Sequence, residues 1–302
     1  MSESVGNESE SVPTLSRPRL LALAAAALFS TGGTAIKLCS FGALQVASLR
    51  CAFAAAALAL LVRETRRRVT GRVALVAAAY TLQSLLFATS NKFTPAASAI
   101  FLQSTSPLYV LLLSPLLLGE KARARDAVFL AALAAGMAMF FVGRESPRDT
   151  ATDPLLGNLL AVGSGVGWAL TILGLRWLGR TGEGGPADAI QATFLGNVLA
   201  AVVVLPWALP LPSGGARDWA LVAFLGVVQI ALAYMCLTRA ARGVPAVELS
   251  LLLLLEPVLS SVWAWWVLGE TLGPWSIAGA ATILAATAVD AVTRDRVRRA
   301  AS

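Results

Sequence analysis

Two segments of this chain, 150 residues apart, carry one pattern. Pro95-Ala96, Pro107 and Leu118-Gly119-Glu120 recur without a gap as Pro245-Ala246, Pro257 and Leu268-Gly269-Glu270. The first apolar runs of the two halves also match, at an offset of 139. Leu20-Leu21-Ala22 lies on Leu159-Leu160-Ala161, Phe29 on Trp168 and Lys37 on Arg176. Self-similarity on this scale means that the fold is two copies of one unit, so the unit has to be read before any single residue.

Each unit holds five apolar runs. They are 20–39, 43–62, 73–90, 95–118 and 126–142 in the first half, and 155–176, 188–207, 218–237, 245–268 and 275–292 in the second. Runs of about 20 residues cross a ~30 Å hydrocarbon core as helices. At 57% hydrophobic and 14% charged residues the chain has more apolar surface than a soluble domain of 302 residues could hide. Lipid offers the backbone no hydrogen bonds, so a spanning segment is a helix or a closed-barrel strand, and no alternating barrel pattern is present. The expected fold is an all-α integral membrane protein with ten transmembrane helices in two five-helix repeats, 20–142 and 155–292. A loop over 143–154 joins them, and a basic tail follows at 293–302. The polar stretch 1–19, with Glu3, Glu8, Glu10 and Pro13, reads as disordered. The first run is too long for a signal-peptide core and nine more follow, so it reads as a retained helix.

Charge sets the orientation. Placing residue 1 in the cytoplasm puts 18 of the 24 Lys and Arg residues on the inner side, among them Arg66, Arg67, Arg68, Lys121, Arg123, Arg125, Arg298 and Arg299. The outer side then holds four, Lys92, Arg144, Arg148 and Arg217, while Lys37 and Arg50 lie inside runs. Basic loops stay on the side from which they are not dragged across the bilayer, so both termini are expected to be cytoplasmic, in the inner membrane. Five crossings per unit then invert the second repeat relative to the first. Glu120 is followed by Lys-Ala-Arg-Ala-Arg, but Glu270 by Thr-Leu-Gly-Pro, so the motif is kept while its flanking charge is reversed. Inverted repeats of this kind are the mark of carriers with a central solute site.

Several functions are excluded. The chain has no histidine, which removes Ser-His catalysis, the usual zinc ligands and the commonest proton shuttle. Cys39, Cys51 and Cys236 lack metal or redox spacing and read as small apolar residues. No phosphate loop of the Gly-x-x-x-x-Gly-Lys-Ser/Thr type is present, so ATP hydrolysis by this chain is not expected. The basic balance is explained by topology rather than by nucleic acid. No enzyme activity, cofactor or metal is expected. The alternative to a carrier is a membrane scaffold or receptor subunit.

These features resemble the drug/metabolite transporter superfamily, specifically ten-helix carriers built from two EamA-type domains. The resemblance is carried by Pro95-Ala96, Pro107 and Leu118-Gly119-Glu120, and by Pro245-Ala246, Leu255-Glu256-Pro257 and Leu268-Gly269-Glu270. Lys37 late in the first run and Arg50 early in the second also look like that family. It implies transport of amino acids, other metabolites, sugars or drugs, mostly outward in bacteria. One departure is plain: on an offset of 146 (Gln45 on Gln191), Gly196 stands where Arg50 does in the first half.

Glu256 is the most informative single residue. It sits near the middle of its run, in Leu251-Leu-Leu-Leu-Leu-Glu-Pro, where a carboxylate costs about 2.5–3.5 kcal/mol on insertion scales. It is expected to face the interior, where it would couple transport to protons, bind a substrate ammonium or order the bundle. Pro257 and Pro107 free backbone carbonyls and predict local helix breaks. Arg50 lies ~10 Å and Glu256 ~18 Å below the outer surface at 1.5 Å per residue. Two readings of Arg50 stand: a pair or shared water network with Glu256, or an outward snorkel. Lys37, near its helix end, reads as a snorkelling residue. Gln83, Gln103, Asn197 and Gln229, with Tyr80 and Tyr234, are polar groups at mid-run, read either as interhelical glue or as cavity lining. Trp168 and its repeat partner Phe29 could wall a pocket. Trp263 shares a helix face with Ser260 and Glu256 and is the better cavity candidate among the other tryptophans. Glu120 and Glu270 end their runs, where a carboxylate opposes its own helix dipole. They are read as solvated turn residues or as cap or gate contacts to another element. The partners expected are a small solute and the bilayer.

Overall fold

The computed structural model describes residues 17–118, 124–142, 149–181, 186–210, 213–240 and 252–300, with 244 and 249 between them. The described chain is helical. In order the helices are α1 (Arg17–Ser30), α2 (Gly32–Leu38), α3 (Ala43–Leu61), α4 (Gly71–Phe93), α5 (Ala96–Gln103), α6 (Ser106–Leu118) and α7 (Ala124–Val142). The second half runs α8 (Pro154–Thr181), α9 (Pro186–Val203), α10 (Leu205–Ala208), α11 (Ala216–Phe224), a π-helical segment Leu225–Leu232, α12 (Ala233–Ala240), α13 (Leu255–Leu268) and α14 (Pro274–Ala300). Glu120, Pro245 and Ala246, with residues 143–148 and 182–185 of the connecting loops, lie outside the described residues.

Among the described residues, six stretches are long and apolar enough to cross a membrane: Arg17–Leu38, Ala43–Leu61, Gly71–Phe93, Ala96–Leu113, Pro154–Leu175 and Ala216–Leu237. Shorter apolar helices cover Ala127–Val142 and Ala187–Val203. Local chemistry sets the ends. Thr70 caps α4 by accepting from the Val73 N–H, and Gln45 folds back to accept from the Gly42 N–H ahead of α3. The last helix overruns its expected end at 292 and continues to Ala300. No Gly or Pro lies between 292 and 300, and the described basic residue there, Arg296 near the C-terminus, suits the helix dipole.

The interior is built from small side chains. Ala25, Ala26, Ala54, Ala77 and Ala88 have no exposed surface, which lets the helix backbones approach closely. Large apolar groups point the other way: Leu60 and Leu116 are each 81% exposed and Trp266 is 71% exposed. Such a surface is costly in water and matches hydrocarbon, so the chain is embedded in a membrane. The helix α4 packs on α8 and α9, α3 packs on α9 and the π segment, and α1 packs on α12 and α13. Away from that centre, α7 packs on α14.

Four of the central helices are irregular. The chain breaks at Thr31 between α1 and α2, and at Ser104-Thr105 between α5 and α6, just ahead of Pro107. A turn at Leu254 precedes α13 and Pro257. The break at 104 and the turn at 254 are 150 residues apart, so the repeated proline pattern marks the same irregularity twice. The fourth irregularity is the π segment. All four lie around one internal cavity.

Candidate functional site

A cavity of about 110 Å³ occupies the centre of the bundle. It is small against the ~300–1,000 Å³ of drug-sized sites, so it suits a compact solute. The first half contributes Phe29 from α1, Arg50 from α3, Tyr80, Gln83, Ser84 and Phe87 from α4, and Ile100, Gln103 and Ser104 from the broken end of α5. From the second half come Trp168 on α8, Gln229 and Ile230 on the π segment, Tyr234 on α12 and Glu256 on α13.

The lining carries the repeat. Phe29 and Trp168, matched in sequence, both meet the Tyr234 ring edge-on, with centroids 5.2 and 6.5 Å away. Tyr80 joins the same cluster at 6.1 Å. Gln83 and Gln229 are also repeat partners, because Ala74-Leu75-Val76-Ala77 and Gln83 recur at an offset of 146 as Ala220-Leu221-Val222-Ala223 and Gln229. The two amides reach one cavity from opposite halves.

Two glycines make the crossing possible. A Cβ on Gly226 would lie 2.5 Å from the Arg50 carbonyl oxygen, and one on Gly196 would lie 2.5 Å from the Tyr80 ring. On the offset of 146, Gly196 corresponds to Arg50 and Gly226 to Tyr80. The repeat therefore sets Gly226 against the α3 backbone at Arg50 and Gly196 against the Tyr80 ring. This explains why Arg50 has no arginine counterpart.

Arg50 points inward and is 2% exposed, so it does not snorkel. One terminal nitrogen donates to the Ser84 carbonyl at 2.7 Å and to the Ser84 hydroxyl at 2.9 Å, and the guanidinium carbon sits 5.9 Å from the Phe87 ring centre. Its Nε is buried with no acceptor. Among the described residues no ion pair joins it to Glu256, although both face the cavity. The direct pair expected as one reading is therefore absent. The Ser84 bonds hold the guanidinium on α4, while Glu256 enters from α13.

Gln103 donates to the Ser164 hydroxyl at 2.7 Å, and Ser164 in turn donates to the Gln83 carbonyl at 3.2 Å. Three expected site residues lie elsewhere. Asn197 is fully buried behind the wall, donating to the Tyr80 hydroxyl at 3.0 Å and to the Thr193 carbonyl at 2.9 Å. Ser260 is buried on α13 without lining the cavity. The Trp263 indole donates to the Ser30 hydroxyl at 3.0 Å, beside the α1–α2 break, and its ring stacks near Trp266. Ser260 and Trp263 share the helix face of Glu256, but the Trp263 side chain is engaged with α1 at Ser30 rather than with the cavity. Ser84, Phe87, Ile100, Ser104 and Ile230 line the cavity without having drawn notice in the sequence, because common residues in apolar runs carry no signal of their own.

A separate polar cluster forms around Lys37. Gly269 closes α13 with φ of +64°, a left-handed C-cap in which the Gly269 N–H bonds the Trp265 carbonyl and the Glu270 N–H bonds the Ala264 carbonyl. That turn throws Glu270 back onto the start of α5. There it accepts from the Ala96 N–H at 2.9 Å and pairs with Lys37 at 3.0 Å. Lys37 also donates to the Thr150 carbonyl. Its side chain is only 3% exposed, so the snorkelling expected for it is corrected: a carboxylate brought from the far end of the sequence holds it inside.

A sequence profile of the EamA-like transporter family matches residues 17–142 and 155–289. The threonine/homoserine exporter RhtA of Escherichia coli (strain K12) is 27% identical over 205 residues, covering 67% of this chain and 64% of that protein. The exporter of the same name from Salmonella typhimurium (strain SL1344) is 28% identical over the same length. The chain thus spans somewhat less than two thirds of the length of these relatives. A solved crystal structure superposes with a TM-score of 0.61 at 21% identity, covering 94% of this chain and 99% of that one, which is a likeness of fold.

Proposed function

Because this chain belongs to the EamA-like transporter family, we propose that it is a secondary carrier that exports a small amphipathic metabolite, with amino acids and related compounds as the first class to test. The observation that carries this reading is the cavity: helices of both matched segments line it, broken helices surround it, and Arg50 and Glu256 face it without pairing. Discontinuous helices at the junction of two repeats are where carriers bind solute. The small cavity supports a compact solute, and the exporters named above supply the direction and the amino-acid class.

The topology that fits is ten crossings in two inverted five-helix repeats, with both termini cytoplasmic in the inner membrane. The two profile matches fall on the two repeats, and the Lys and Arg distribution supports the orientation. In this frame the Lys37 end faces outward, and the Glu270–Lys37–Ala96 cluster closes the outer mouth. Rocking of one repeat against the other would open that mouth and close the opposite one. Glu256 is the carboxyl that would link export to a proton gradient.

The test is counterflow. Purified protein in proteoliposomes preloaded with each of a panel of amino acids should accumulate the same labelled compound transiently and saturably for at least one of them. Flux no greater than in empty liposomes across the panel would favour a scaffold or receptor subunit.

A further inference from the structure

We infer that Arg50 and Glu256 are the two poles of a zwitterion receptor, Arg50 taking the α-carboxylate and Glu256 the α-ammonium of a free amino acid. The inference rests on the reading of the cavity as the transport site and names how that site recognises its solute.

The first argument is charge. A guanidinium stays protonated wherever a protein puts it, so a buried one needs an anion or a full set of acceptors. Arg50 has neither among the described residues. Ser84 takes one terminal nitrogen, Nε is buried without an acceptor, and no carboxylate pairs with the group. Glu256 shows the complementary deficit: it faces the same cavity, and no described residue donates to it or pairs with it. The protein thus holds one cation and one carboxyl apart, on different helices, across a space of about 110 Å³. A free amino acid brings one charge of each sign. It satisfies both poles at once and adds no net charge to the membrane interior, whereas a simple amine or a simple acid leaves one pole unanswered.

The second argument is the rest of the lining. Ser84 anchors the guanidinium and Phe87 lies 5.9 Å beneath it, so the fork is held still before any solute arrives. Gln229 presents a buried Oε1 with no donor. The Tyr234, Phe29 and Trp168 rings close one side, which limits the solute side chain to a short one.

The recognition can be tested on the wild-type protein, so a misfolded variant cannot confuse it. Labelled threonine counterflow in proteoliposomes is competed with unlabelled threonine, threoninamide, which has lost the carboxylate charge, and N-acetylthreonine, which has lost the ammonium. Each altered compound should compete about tenfold or more weakly, the loss expected of one charge-assisted contact. In Arg50→Gln, threonine and threoninamide should compete alike, while N-acetylthreonine stays the weaker. In Glu256→Gln the converse should hold, read by binding to the detergent-purified protein so that no gradient is needed. Threoninamide competing as well as threonine in the wild type, with threonine counterflow intact, would overturn the assignment and leave the carrier standing. No counterflow for any free amino acid would overturn the amino-acid reading itself, and this inference with it.

Discussion

Lys37 and Glu270, 233 positions apart in the chain, form an ion pair at 3.0 Å with each side chain only 3% exposed. The carboxylate also accepts from the first N–H of α5, where the positive end of the helix dipole favours it. Removing one member of a buried pair leaves the other uncompensated, at about 3–5 kcal/mol. Lys37→Met and Glu270→Gln should each lower the unfolding free energy in detergent by about that much. The double variant should lose clearly less than the two single losses together. Strictly additive losses would show that the two charges do not support each other.

Gly269 is the one described glycine with positive φ, at +64°. A Cβ there meets no neighbour, so strain in the left-handed backbone is the whole cost, roughly 1–2 kcal/mol. Gly269→Ala should lower the melting temperature. Because the turn aims Glu270 at Lys37, the variant should also weaken the coupling between those two residues in the double-variant cycle. An unchanged melting curve would contradict the left-handed cap.

Glu256 is the carboxyl proposed for proton linkage, with Arg50 and Tyr234 the other ionisable groups of the cavity beside Tyr80. Glu256→Gln keeps the shape and removes both the titration and the charge proposed to meet the solute ammonium, so the variant is compared with itself with and without the gradient. Transport driven by an imposed pH gradient should fall to the level seen without one, in a protein that still elutes as a single folded species. Gradient-driven uptake equal to wild type would remove the residue from coupling.

Trp168 and Trp263 separate cavity from scaffold. Trp168→Ala opens the aromatic wall and should change the apparent affinity in counterflow severalfold. Trp263→Phe removes the donor to Ser30, worth about 1 kcal/mol of stability. It should lower the melting temperature by a few degrees with affinity unchanged, and a shift in affinity as large as that of Trp168→Ala would place Trp263 at the solute.

The membrane fold was legible because apolar runs and a duplicated proline pattern survive without any knowledge of packing. Glu256, Gln83, Gln103 and Gln229 stood out for a related reason: a polar side chain in an apolar run has little choice but to face inward. What a helix face meets was not legible. Trp263 shares a face with Glu256 yet bonds Ser30 of α1, and only the crossing of α1 and α13 decides that. Lys37 could not be told from a snorkelling residue, because its partner arrives from a loop that sequence spacing does not locate. The Gln83–Gln229 equivalence was present in Ala-Leu-Val-Ala but hidden by the change of offset between helices.

The π segment Leu225–Leu232 has a consequence for comparing this chain with its relatives. Wider winding stores surplus residues, and losing one would let the helix tighten and swing everything after it by roughly 100° about the axis. Gln229 and Tyr234 could then no longer look into the same space. A relative without this slack, aligned column by column, would have a different side chain facing the solute at the position matched to Tyr234, so its gap belongs inside this stretch and not in the loops on either side.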